Sequence, residues 1–193
     1  MKYLMEIDKQ LDQAREIILN KWFDATIHSY PQDTARIFAK SSNRFDNPVG
    51  SATRQSLDAA LGLIVDSLST YRELLQKNGS ALPEIDENAL EEALDSVIRI
   101  RAVQSFSASM AVEFVFELKT ILKSVLENPV NEVIYNLVDK VALAAFNRFM
   151  KCREDIFLLR ANEAKRRIHR AFERAGLVTE LAEEELSPAR TNL

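Results

Sequence analysis

Apolar residues recur at three- and four-residue steps along most of this chain, and Pro and Gly cut the pattern into segments. From Tyr3 to about Ser29, the residues Leu4, Ile7, Leu11, Ala14, Ile18, Trp22 and Ala25 trace one face of a helix. Tyr30 precedes Pro31, and proline disfavours helical geometry in the residue before it, so the first helix should end there. Pro31 suits the first turn of a short second helix reaching about Ala39. Residues 41–52, SSNRFDNPVGSA, form the main irregular segment. Its Asn, Asp, Pro and Gly supply turn geometry, while Phe45 and Val49 are apolar enough to dock it on the core. A third helix is expected from Thr53 to Lys77, then a loop over residues 77–86. Asp86 is placed to cap a helix carrying Ala89, Leu90, Ala93, Leu94, Val97, Ile98 and Ile100. A break follows at residues 104–109. Ser107 or Ser109 caps the next helix, whose face holds Phe114, Leu118, Ile121, Leu122 and Val125.

Asn128 and Pro129 then give an N-cap and a first-turn proline, opening a last helix in which Val130 to Ala175 contains neither Gly nor Pro. At ~1.5 Å per residue it would span roughly 68 Å. A compact body of this chain length is only about 42 Å across. The far half of that helix is therefore expected to leave its domain and to need a partner. Val138, Ala142, Ala145, Phe149, Cys152, Ile156 and Leu159 keep a four–three spacing, the signature of a helix–helix seam. Beyond Leu159 that register meets Glu163, Arg166 and Arg170. A second stripe takes over through Phe157, Ala161, Ala164, Ile168, Ala171 and Ala175. Gly176 should end the helix and leave an acidic tail.

Composition agrees with helices throughout: among 193 residues only four are Gly and five Pro. A net charge of −4 is too mild to imply a nucleic-acid partner or an acidic substrate. Charge is local instead, with eight Lys/Arg against four Asp/Glu between Lys151 and Arg174, and four glutamates between Glu180 and Glu185. These read either as a solvated face with i,i+4 pairs or as a dimer coiled coil whose basic exterior docks the acidic tail or a partner. The lone Cys152 excludes an internal disulfide and is compatible with a reducing compartment. The start MKYLMEIDKQ has no apolar signal region, and no apolar run reaches the ~18 residues of a membrane span. A cytoplasmic protein without membrane insertion is the expectation.

Catalytic chemistry is poorly supplied. Neither His28 nor His169 has a Cys, Asp or Glu at metal-ligand spacing that goes beyond chance, and Glu-x-x-His does not occur. Cys152 falls on the apolar seam, which favours a packing thiol over a nucleophile. NPVGSAT holds a single Gly and is a weak match to a phosphate-binding loop. No enzyme, metal or cofactor is expected. Arg101 beside an apolar run invites a carboxylate, from a neighbour such as Glu113 or from a ligand, or else a buried bond that fixes its turn.

Four stretches, IRIRAVQSFSASMAVEFVFELK (98–119), NRFDNPVG (43–50), WFDATIHSYP (22–31) and CREDIFLLRANEAKRR (152–167), resemble the RsbRD N-terminal domain family, the sensory module of RsbT co-antagonist proteins. The resemblance runs to about Arg167. It implies an all-α, globin-like helical bundle that binds no haem, forms a homodimer and signals through a long exit helix. That helix normally enters a STAS domain of a stress-response assembly, whereas this sequence stops at Leu193 without room for one. A haem globin would also need a proximal histidine on the segment Asp86–Gln104, which has none.

The expected organisation is a helical sensory core over residues 1–150, a protruding exit helix over 151–176 and an acidic tail over 177–193. The expected function is a signal-input module that acts on a separate regulatory partner protein. The alternative is an adaptor scaffolding another complex, such as one of anaerobic sulfur respiration. For signal input the candidates are Trp22, Tyr30, Phe45, Asn47 and Pro48, where the irregular segment would close over the first helix, with Arg101, Gln104 and Phe106 in the adjoining turn. For the dimer and output helix they are Phe149, Cys152, Ile156, Leu159, Arg160, Glu163 and Arg167.

Overall fold

A computed structural model describes residues 7–39, 45–77, 82–104, 106–126 and 132–175, and all regular structure among them is α-helical. The helices are α1 (Ile7–Gln13), α2 (Arg15–His28), α3 (Gln32–Ala39), α4 (Pro48–Gln76), α5 (Glu87–Val103), α6 (Ala108–Val125) and α7 (Glu132–Arg174). The chain divides into two units, Met1–Arg153 and Glu154–Leu193.

In the first unit α4 packs against α1, α2 and α5, and α2 lies against α6. Leu11, Ile18, Trp22, Leu57, Leu61, Ile64, Leu94, Ile98 and Leu118 are fully buried between them. Burying each such side chain contributes about 1.5–3 kcal/mol, which is where an all-helical body gets its stability. The single first helix expected from the sequence is two, interrupted at Ala14. The backbone bonds Ala14 N to Gln10 O and Ile18 N to Ala14 O, both 2.9 Å, carry the ladder across the interruption.

Local chemistry explains the boundaries. Ser107 caps α6 and Asp86 caps α5, each accepting backbone N–H groups of the first turn. α4 starts five positions ahead of the expected Thr53 because Asn47 is its cap and Pro48 fills the first turn. Asn47 accepts from Gly50 N at 2.9 Å and donates through Nδ2 to Phe38 O at 2.5 Å. One buried amide thus satisfies the start of α4 and the end of α3. Only glycine fits at position 50, where a Cβ would stand 2.2 Å from Asn47 Nδ2 and 2.6 Å from Phe38 O.

Within the first unit α7 turns Ile134, Val138, Val141, Ala145, Phe149 and Cys152 into the core. The four–three register through Cys152 is therefore the helix's own core face. Phe149 and Cys152, expected at a dimer seam, are 3% and 4% exposed, because this body has used them as filling. Polar pairs fix the helix from the side: Arg148 Nε donates to Asp95 at 2.6 Å, Lys151 to Glu91 at 2.5 Å and Lys119 to Asp139 at 2.6 Å. In the second unit, α7 is exposed at nearly every position from Glu154 to Arg174, with Ile156 and Ala161 half-buried. The Asn128–Pro129 opening, Gly176 and the acidic tail of residues 177–193 lie outside the described residues.

Candidate functional site

Arg101, in the last turn of α5, is 0% exposed, and its guanidinium reaches three other segments of the body. One terminal nitrogen donates to Met110 O at 2.9 Å, and the other donates to Thr26 O and to Ser29 Oγ, each at 2.9 Å. The rings of Phe114, Phe106 and Tyr30 surround it, their centroids 4.6, 5.1 and 5.3 Å from its central carbon. Such faces attract a cation through their quadrupole. Thr26 O belongs to the C-terminal end of α2, where carbonyls carry the negative end of the helix dipole. The charge is thus met by carbonyls, a hydroxyl and π-faces. No described carboxylate pairs with it, and its Nε finds no acceptor.

Burial dominates the electrostatics. It pulls the Arg101 guanidinium below its ordinary value, partly offset by the Tyr30 phenol and the more distant charge of Glu113. Burial pushes the Tyr30 phenol above its ordinary value, and the neighbouring guanidinium opposes that.

The surrounding side chains are tied to one another. Trp22 Nε1 donates to Phe114 O at 2.7 Å, and the Trp22 and Phe114 rings stack at 6.2 Å. Tyr30 meets Phe38 edge-on at 5.1 Å. Ile27, Tyr30 and Phe38, with half-buried Phe23, Val49 and Phe106, form a small apolar cluster on one side of the arginine. Beside the cage lies a cleft of about 330 Å³ lined by Ala25, His28, Ser29, Glu113, Phe114 and Glu117. Ser29 and Phe114 belong to both, so the floor of the cleft is the wall of the arginine cage.

Of the residues singled out from the sequence, Tyr30, Arg101 and Phe106 meet directly, and Trp22 joins them through Phe114. Asn47 and Pro48 start α4 one layer away, linked to the cluster through Phe38. Gln104 is exposed outside the cage. Phe45, expected to dock on the core, is 93% exposed, and the apolar contact of this segment with the core is made by Val49. Thr26, Ser29, Met110 and Phe114 were missed as site residues. Three of them act through backbone oxygen or ring face, which sequence patterns do not record.

On α7 beyond Arg153, the segment expected to carry output, Leu159 is 65% exposed and Ile156 half-buried. Arg160, Glu163 and Arg167 are exposed, and Arg167 donates to Glu163 at 2.6 Å. Among the described residues no three His, Cys, Asp or Glu side chains are grouped to hold a metal ion. No described helix is long and apolar enough to cross a membrane.

No curated protein and no solved structure matches the chain. Residues 16–164 match the family described as the RsbT co-antagonist protein rsbRD N-terminal domain. That span takes in both the arginine cage and α7 as far as residue 164, and the protein belongs to this family.

Proposed function

We propose that this protein is a non-enzymatic signal-input module, whose helical body responds to a ligand or partner and whose distal helix acts on a separate regulatory protein. Membership of the RsbT co-antagonist family supports a regulatory role in stress signalling. The observation that carries the reading is the state of α7 beyond Arg153. Phe157, Leu158, Leu159, Ile168 and Phe172 are 70, 52, 65, 57 and 49% exposed on one helical segment. Large apolar side chains grouped in this way mark an interaction surface. The cleft against the arginine cage supports an input role, since a small molecule there would touch the wall of a buried charge. His28, Ser29, Glu113 and Glu117 line that cleft, but the Ser29 hydroxyl is held between Thr26 O and Arg101 and His28 Nδ1 meets Asp24 O, which supports a binding rather than a catalytic role.

A homodimer is part of the proposal, on the outer face of α7 within the first unit. Leu143, Phe146 and Met150 are 64, 41 and 49% exposed there, three and four residues apart. A cytoplasmic location is proposed with it, supported by the single, buried Cys152.

The functional test is complementation of a host lacking the gene, read through a stress-response reporter. The chain carrying Phe157→Glu and Ile168→Glu, present at wild-type abundance, should fail to restore regulation. Full restoration would remove the distal helix as the output.

A further inference from the structure

The exposed apolar stripe of the second unit has a heptad register, and the residues flanking it discriminate between partners. Phe157, Ala164 and Ala171 are spaced by seven, as are Ala161, Ile168 and Ala175, and the two sets alternate by four and three. This is the a/d pattern of a helix that pairs with another helix, with Phe157, Ala164 and Ala171 at d and the others at a. Four alanines among the six allow a second helix to approach closely. The positions just before each a residue, the g positions, are Arg160, Arg167 and Arg174, arginine each time. The positions just after each d residue, the e positions, are Leu158, Lys165 and Phe172. No acid flanks the stripe. Arg160 and Arg174 pair with no described residue, and Arg167 holds only the exposed Glu163 of its own helix.

From this charge pattern we infer that the distal helix pairs with an acidic amphipathic helix of a different protein, one carrying Glu or Asp beside its apolar stripe. In coiled coils the e and g charges select partner and orientation. Self-pairing in parallel sets Arg160 against Lys165 of the second copy, and antiparallel self-pairing sets the arginine column against itself. Either arrangement juxtaposes like charges across a closing interface, which is how natural pairs reject wrong partners. An acidic-flanked helix meets three arginines and a lysine with complementary charge, while Leu158 and Phe172 widen the apolar contact. The inference rests on the output role proposed above for this helix and adds the chemistry of its partner.

The test uses the full chain and two labelled synthetic helices of about four heptads, identical at a and d, one with Glu and one with Lys at every e and g position. Fluorescence anisotropy should show the Glu peptide binding at least about tenfold more tightly than the Lys peptide, the sum of several exposed ion pairs. The preference should shrink as NaCl rises from about 50 to about 500 mM, where screening shortens to a few ångströms. The charge-reversed chain, with Arg160→Glu, Arg167→Glu and Arg174→Glu, should prefer the Lys peptide. Equal binding of both peptides by wild type, or an unchanged preference after reversal, overturns the inference. So does a gain of tenfold or more for the Glu peptide when Glu180, Glu183, Glu184 and Glu185 are all changed to Gln, since the chain's own tail would then be the occupant. Failed complementation by the Phe157→Glu, Ile168→Glu chain alongside equal peptide binding would keep the output role and discard the acidic partner.

Discussion

Replacing Arg101 by methionine is expected to change the stability of the fold by less than about 1.5 kcal/mol in either direction, although the side chain is fully buried. Each hydrogen bond from a charged donor contributes roughly 1.5–3 kcal/mol, and Arg101 makes three. Against them stand the desolvation of a cation with no paired carboxylate, several kcal/mol, and an orphaned Nε at about 1–3 kcal/mol. The two sides nearly cancel. The acceptors also survive the exchange. Thr26 O keeps the Ser29 hydroxyl at 2.7 Å, and Met110 O lies inside α6, where the helix ladder supplies an N–H. Methionine fills much of the same volume and suits an aromatic cage. Arg101→Ala instead opens a void and should cost about 3 kcal/mol or more. Arg101→Lys keeps a charge but loses the planar fork, at about 2–3 kcal/mol. Urea unfolding at pH 7 followed by circular dichroism measures all three, and a 1 kcal/mol difference moves Tm by about 2–4 °C in a chain of this size. A methionine variant as damaged as the alanine variant would refute the reasoning. It would show that the guanidinium itself holds the fold, leaving nothing to attribute to signal input.

At position 50 an added Cβ meets Asn47 Nδ2 and Phe38 O at 2.2 and 2.6 Å, so Gly50→Ala should cost about 2–4 kcal/mol in the same unfolding assay, and near-neutrality would mean the α3–α4 junction is loose. Burial raises the Asp95 carboxyl, but hydrogen bonds from Arg99 and Arg148 outweigh it and hold the group below the ordinary carboxylate range. Its folded value is then lower than its unfolded one, so its contribution is complete above about pH 4 and lost as pH falls through the folded value. The Tm difference between wild type and Asp95→Asn should therefore be present at pH 7 and shrink by about pH 3; a constant difference counts against the pairing. Leu143→Glu with Met150→Glu replaces side chains 64 and 49% exposed, and should halve the mass seen by light scattering without lowering Tm by more than a few degrees. An unchanged mass, dimeric or monomeric, would remove this face as the dimer contact.

The helical architecture was legible because caps and prolines are local signals. Asp86 and Ser107 cap α5 and α6 as their sequence positions suggest, and the Tyr30–Pro31 step does separate α2 from α3. The start of α4 was misplaced although its cap is local, Asn47 accepting from Gly50 N with Pro48 in the first turn; only the bond that ties this cap to Phe38 O, nine residues back in another helix, lies beyond a local pattern. The site was half legible for a similar reason. Arg101 stands out in sequence as a charge inside an apolar run, but its partners are two backbone oxygens, the Ser29 hydroxyl and three ring faces, brought in from α2 and the turn after it, α6 and the α5–α6 connection. Glu113, the carboxylate that sequence proximity offered, makes no ion pair with it. Phe45 misled because an aromatic residue in a turn looks like an anchor, whereas Val49, four residues on, makes the contact with the core.

The same limit governs α7, and there the flanking residues carry more information than the stripe. A four–three apolar register says only that a face is covered by something packed like a helix. From Val138 to Cys152 the cover is the protein's own body, as the burial of those residues shows. From Phe157 to Ala175 an equally regular register lies open to solvent. Periodicity is identical in the two cases, so it cannot distinguish an internal face from an external one. The charges beside the stripe can. Along the covered part, Arg148 and Lys151 find Asp95 and Glu91 within the body, and opposite charge is answered at short range. Along the open part, Arg160 and Arg174 are not answered by any described residue, while the stripe they border is large enough to hold a helix. An apolar surface with unanswered charge of one sign is incomplete in a specific way, and what completes it must carry the opposite sign.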